Sequence, residues 1–136
     1  MYLTKRIVIL IMTFSVYLSS SDSIYDSVPN SKEAIKIYAD KKEETVEINF
    51  KLHEGIYVYK NKIKVRQDTF FNPFIILGEI TFIKDKFFGE QPILEKDFSL
   101  NLKLSDTISS GDIYLEYQGC FRNYFCFNKE VKKISY

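Results

Sequence analysis

A chain of 136 residues that is 46% apolar and 16% aromatic has enough core-forming material for one packed domain and too much of it to remain unfolded. Its 19 basic and 18 acidic residues are interspersed, so it lacks the basic stripe that nucleic-acid binding requires and no nucleic-acid partner is expected. Two cysteines and one histidine fall short of the four ligands of a structural zinc site, so no metal site is expected either.

The N-terminus carries Lys5 and Arg6, an uncharged apolar run follows over residues 7–18, and Ser19, Ser20 and Ser21 come next. A basic start, a run of about 12 apolar residues and then small residues make the pattern of a secretory signal peptide, whereas a bilayer span needs roughly 20 apolar residues. A cleavable signal over residues 1–21 and one domain over residues 22–136 are therefore expected. No cysteine follows the run to accept a lipid, which points to a mature protein free of the membrane outside the cytoplasm.

Residues 22–30 are polar and contain Pro29, as suits an irregular entry. Asn30 with Glu33 three residues on predicts a short capped turn and no long helix. Residues 44–53 give the clearest strand, with Val46, Ile48, Phe50 and Leu52 on one face and Glu47, Asn49, Lys51 and His53 on the other. His53 on that polar face has no nucleophile to serve and reads as a solvated surface residue. After the turn signal Glu54-Gly55, residues 56–65 alternate again and are expected to pair back as a hairpin, placing Tyr57 and Tyr59 on a common face. Asn72-Pro73 breaks the chain. Residues 74–77 and 79–83 are short apolar runs expected to be buried strands.

The segment Asp85-Lys86-Phe87-Phe88-Gly89-Glu90 puts two adjacent phenylalanines in a charged turn, where at most one can face a core. Residues 97–104 alternate with Phe98, Leu100, Leu102 and Leu104 inward, residues 109–112 form a turn, and residues 112–118 alternate once more. A last strand within residues 127–136 would run back along the preceding one, leaving Cys120 and Cys126 facing each other across a hairpin. Short alternating strands at regular spacing, with turn signals between them, predict an all-β fold, an antiparallel β-sandwich.

The cysteine pair is the one chemical candidate. In an exported chain two cysteines suggest a disulfide, and the simplest role is a structural staple. Closing seven residues is worth about 2.4 kcal/mol by chain entropy, and a hairpin that already holds its own ends duplicates part of this. A short surface disulfide is open to an attacking thiolate, which thiol-disulfide exchange requires. Spacing alone leaves both readings open.

Three stretches taken together resemble a known family: residues 54–63, with Tyr57 and Tyr59; residues 85–90, with Asp85, Phe87 and Phe88; and Tyr117-Gln118-Gly119-Cys120 with Cys126. In order and spacing they are similar to the N-terminal periplasmic domain of the thiol:disulfide interchange protein DsbD, over about residues 28–131. The resemblance implies an immunoglobulin-like antiparallel β-sandwich in the periplasm, a redox pair formed by Cys120 and Cys126, a cap loop bearing Phe87, and a site lined by Asp85, Tyr57 and Tyr59. It implies exchange with thioredoxin-like periplasmic proteins and no cofactor. Phe121, Tyr124 and Phe125 are bulkier than the family's usual loop between the cysteines, and Phe127-Asn128-Lys129 stands where a proline-rich turn is usual, which bears on partner choice. These 136 residues carry neither the membrane-spanning segment nor the thioredoxin-like domain of the full family protein, so a separate membrane electron donor and a monomeric relay are expected. The competing expectation, from another class, is a secreted β-sandwich binding module with an inert disulfide.

Overall fold

In residues 28–104 and 112–136, which the computed structural model describes, one α-helical turn, one 3-10 turn and thirteen short strands follow one another. The leader, the entry as far as residue 27 and the turn at residues 109–111 lie outside the described residues. Asn30 caps α1 (Ser31–Ala34) as its residue type predicts, its side chain accepting from the N–H groups of Lys32 at 3.1 Å and Glu33 at 3.2 Å. The chain then extends into β1 (Ile35–Lys42), which pairs antiparallel with β2 (Thr45–Leu52) over its whole length. Beyond β2 lie β9 (Phe98–Lys103) and β6 (Phe74–Leu77), giving a first sheet in the order β1-β2-β9-β6. A second sheet holds β13 (Glu130–Ser135), β10 (Asp112–Tyr117), β4 (Lys64–Gln67) and β5 (Phe70–Phe71). A third sheet, which carries the cysteines, runs β12 (Phe125–Cys126), β11 (Gly119–Phe121), β3 (Ile56–Tyr59), β8 (Gly89–Leu94) and β7 (Thr81–Asp85).

The main core draws side chains from all three sheets. Val46, Ile48 and Phe50 of β2 meet Leu100 and Leu102 of β9 and Ile113 and Leu115 of β10, all of them fully buried. Phe50 stacks on Phe98 at 4.3 Å between centroids and takes the edge of Tyr117 at 5.7 Å. The alternation read from residues 44–53 and 112–118 is thus the burial alternation of β2 and β10, and that of residues 97–104 holds in β9 except that Ser99 is buried as well. The last strand also runs back along β10, with Asp112 opposite Ser135 and Tyr117 opposite Glu130.

Three strand expectations are corrected. Residues 56–65 are two strands, β3 and β4, separated by a 3-10 turn at Lys60–Lys62. Neither one pairs with β2, since β3 lies between β11 and β8 in another sheet while β2 is taken on both sides by β1 and β9. The reason is burial: all four residues of β3 are buried, so it needs cover on both faces, which a hairpin folded back on β2 would not supply. The apolar runs at residues 74–83 are edge strands, not buried ones. Ile75, Leu77 and Phe82 stand 50–69% exposed, because β6 and β7 each end a sheet and only alternate side chains reach a core.

Gly119 shows why a residue without a side chain precedes Cys120. A Cβ there would lie 2.5 Å from Ile35 Cδ1 and 3.2 Å from the backbone oxygen of Tyr57. The flexible tip of Ile35 can move aside, but the carbonyl belongs to β3 and cannot. Gly119→Val should therefore cost about 1–3 kcal/mol through overpacking, read as a lower urea midpoint at unchanged m-value. A change below about 0.5 kcal/mol would mean that β11 has room to shift.

Candidate functional site

Residues 119–121 extend as β11 against β3, with Cys120 opposite Tyr57, and residues 125–126 return as β12, with Cys126 opposite Cys120. Arg122 makes the reversal at φ +45°, its N–H donating to the carbonyl of Gly55 at 2.9 Å. The two cysteines are joined as a disulfide with their Cα atoms 3.9 Å apart. Their surroundings differ. Cys120 is completely buried, whereas Cys126 on the outermost strand of the sheet is half-buried.

β3 divides its four side chains between two interiors. Ile56 and Val58 face the main core, while Tyr57 and Tyr59 face a second, smaller cluster with Cys120 and Ile93, against which Cys126 and Ile83 pack. The two phenol rings meet edge to face at 5.3 Å. Their hydroxyls converge on Asp85 at the end of β7. Tyr57 donates to Oδ2 at 2.9 Å, and Tyr59 donates to the same oxygen through a short bond. The other oxygen, Oδ1, accepts from the backbone N–H groups of Phe87 at 3.0 Å and Phe88 at 2.8 Å. Asp85 is thereby the centre of the cluster: it fixes the turn that follows it and orders both tyrosines in front of the sulfurs.

With its O–H pointed at Asp85, the Tyr59 hydroxyl presents its oxygen to the disulfide, 3.3 Å from Cys120 Sγ and 3.7 Å from Cys126 Sγ. Burial opposes the charge on Asp85, but the bonds donated by Tyr59, the Phe88 N–H, Tyr57 and the Phe87 N–H outweigh it and hold the carboxyl below the usual carboxylate range. Burial also pushes the Tyr57 hydroxyl up to about 12, with Asp85 beside it adding to the rise, and moves Tyr59 further in the same direction. Near neutral pH the group is thus one carboxylate and two neutral phenols.

Of the residues singled out from the sequence, Cys120, Cys126, Tyr57, Tyr59 and Asp85 come together in this one cluster. Phe87 lies in the adjoining turn, 38% exposed, with Lys86 Nζ 5.1 Å from its ring. Its neighbour Phe88 is the ring that meets Tyr59, edge to face at 5.1 Å, with Lys62 Nζ 4.5 Å from the Phe88 ring centroid. Ile93 and Ile83 belong to the cluster and carried no sequence signal, since only the pairing of β3 with β8 and of β8 with β7 brings them there. His53 is exposed and its Nδ1 lies 3.1 Å from the Glu54 carbonyl, away from this chemistry. Among the described residues no three His, Cys, Asp or Glu side chains group as a metal would need, and no helix is long and apolar enough to cross a membrane.

Fold and site together define a class: an immunoglobulin-like antiparallel β domain bearing a cross-strand disulfide beside a tyrosine–aspartate cluster. The family model described as thiol:disulfide interchange protein DsbD, N-terminal, matches residues 26–136, and the chain belongs to that family. Similar proteins include the thiol:disulfide interchange proteins DsbD of Haemophilus ducreyi, 23% identical over 138 residues and 96% of this chain, and of Actinobacillus pleuropneumoniae, 25% identical over 137 residues. That of Vibrio cholerae is 28% identical over 107 residues, 75% of this chain. The chain spans only 23% of the length of the first two and 17% of the third. Among solved structures, the reduced DsbD N-terminal domain of Neisseria meningitidis superposes with a TM-score of 0.66 at 20% identity, covering 84% of this chain and 93% of that one. The complex between the DsbD N-terminal and PilB N-terminal domains of the same organism matches with a TM-score of 0.63 at 21% identity, covering 81% and 87%.

Proposed function

We propose that this protein is a thiol-disulfide exchange domain that cycles Cys120 and Cys126 between dithiol and disulfide, passing two electrons at a time to or from thioredoxin-like proteins. The observation that carries the reading is the placement of a partly exposed cysteine, Cys126, bonded to a buried one, Cys120, in a member of the DsbD N-terminal family. One sulfur is within a partner's reach and the other is held to resolve the mixed disulfide, as exchange requires. The working location is the periplasm, reached through a cleavable signal over residues 1–21, with residues 22–136 as the working domain. The domain acts as a monomer, and a separate membrane protein supplies its electrons.

Titration of the disulfide against glutathione or dithiothreitol buffers tests this. A relay should equilibrate in the range of thioredoxin-like proteins, roughly −270 to −120 mV, and a bond below roughly −300 mV would instead mark an inert staple in a binding module.

In the same reading Phe87 is part of a cap over the disulfide. The turn that carries it is tied down by both N–H bonds to Asp85 Oδ1. Phe87→Ala should speed reduction by dithiothreitol several-fold while stability changes by less than about 1 kcal/mol. A loss of about 3–5 kcal/mol would make Phe87 a core anchor instead.

A further inference from the structure

A cavity of about 280 Å³ opens beside the cysteine hairpin, lined by Tyr57, Ile83 and Ile93 together with Arg122 and Glu95. Those three apolar walls pack in the same cluster as the two cysteines, so cavity and sulfurs share one face of the third sheet. A protein that forms a bond with either cysteine must bring its own sulfur to about 2 Å from Sγ. The residues that flank its cysteine then run over this face.

Arg122 is placed at the cavity by its backbone and by its contact with the Phe121 ring. Its backbone N–H donates to the Gly55 carbonyl, its guanidinium lies 5.5 Å from the centroid of Phe121, and a Cβ on Gly55, whose φ of +81° itself favours glycine, would come within 3.0 Å of its Nε. Among the described residues no carboxylate forms an ion pair with Arg122. Glu95, the other charged residue at the cavity, already accepts from the Thr81 hydroxyl at 3.3 Å. The cavity therefore offers apolar walls and two charges, Glu95 just beyond β8 and Arg122 in the reversal between the two cysteines, the latter nearer the sulfurs along the chain and shaped to take a carboxylate.

Resting on the exchange reading above, we propose that this cavity is a selectivity pocket that receives one large apolar side chain from the segment flanking the partner's cysteine, with Arg122 favouring an acidic residue beside it. Burying a side chain of leucine or phenylalanine size should raise the exchange rate about tenfold or more. A single exposed charge pair adds about threefold at low salt.

The probes are short cysteine peptides capped as mixed disulfides with thionitrobenzoate, whose flanking positions carry Phe or Ala and Asp or Lys in all four combinations. A thiolate of the reduced protein attacks the peptide sulfur and expels the coloured thionitrobenzoate anion. The second cysteine then displaces the peptide thiolate and closes the protein disulfide. The Phe peptides should react about tenfold faster than the Ala peptides, and the Asp peptides about threefold faster than the Lys peptides. Arg122→Glu should reverse the acid preference and keep the apolar one, which also shows that the variant is folded. Ile83→Lys, on an edge strand, should remove the apolar preference. Colour release at equal rates from all four peptides overturns the pocket while leaving the exchange reading standing, as does an acid preference that Arg122→Glu retains or an apolar preference that Ile83→Lys retains. No release from any peptide overturns both.

Discussion

A Cys120→Ser variant should form a stable mixed disulfide with a thioredoxin-like protein that lacks its own resolving cysteine, and a Cys126→Ser variant should not. Charge along the chain leans the other way, because Arg122 lies closer in sequence to Cys120 than Lys129 does, on a usable face, to Cys126. Burial decides against it. Cys120 has no exposed surface, and Cys126, on the outermost strand, is partly exposed. On this assignment, in the reducing direction the Cys126 thiolate would attack the partner's disulfide and expel one partner thiolate. Cys120, as thiolate, would then attack Cys126 Sγ, free the second partner thiolate and restore the Cys120–Cys126 bond, so two electrons would pass to the partner. Either serine variant should lose turnover completely, and only the trapping pattern separates their roles. Trapping by Cys126→Ser alone would reverse the assignment, and trapping by neither variant would favour the inert disulfide.

Asp85→Asn should be the most destabilising conservative change in the cluster, by about 3 kcal/mol, or on the order of 10 °C in Tm. The new amide can keep its oxygen on the Phe87 and Phe88 N–H groups, but its NH2 then faces the Tyr57 and Tyr59 hydroxyls that donate to Oδ2 in the wild type. Tyr59 is completely buried and Tyr57 nearly so, which leaves water little access to replace the lost acceptor. The carboxyl is held below its usual range, so its folded-state pKa is lower than its unfolded value of about 3.9. The stabilisation it gives is complete above that unfolded value and disappears as pH falls through the folded one. Urea midpoints of the two proteins should therefore differ most above about pH 5 and converge in stronger acid. Taking the difference removes the contributions of Asp97 and Asp112, whose carboxyls are also held low. A difference that stays constant down to pH 2 would show that Asp85 is not the titrating group.

Alternation at Val46, Ile48 and Phe50, at Leu100 and Leu102, and at Ile113 and Leu115 was sufficient to place the strands of the main core, because a strand with one buried face must show a period of two. The cysteine hairpin was equally legible, since strands joined by a tight reversal pair with their own neighbours, while it was the family resemblance that implied Tyr57, Tyr59 and Asp85, which the structure gathers by hydrogen bonds. Which strand pairs with which over a distance is a different matter. Strand β3 is buried on both faces and so shows no polar face to set its orientation, and the edge position of β6 and β7 follows from the order of a whole sheet rather than from their own apolar residues. Only the tertiary structure could decide that Phe88 rather than Phe87 lies on Tyr59, that Ile83 and Ile93 join the sulfurs, and that Cys126 is the accessible one. Adjacent residues of a turn are equivalent in sequence, and exposure at a sheet's margin depends on strands that lie far away along the chain.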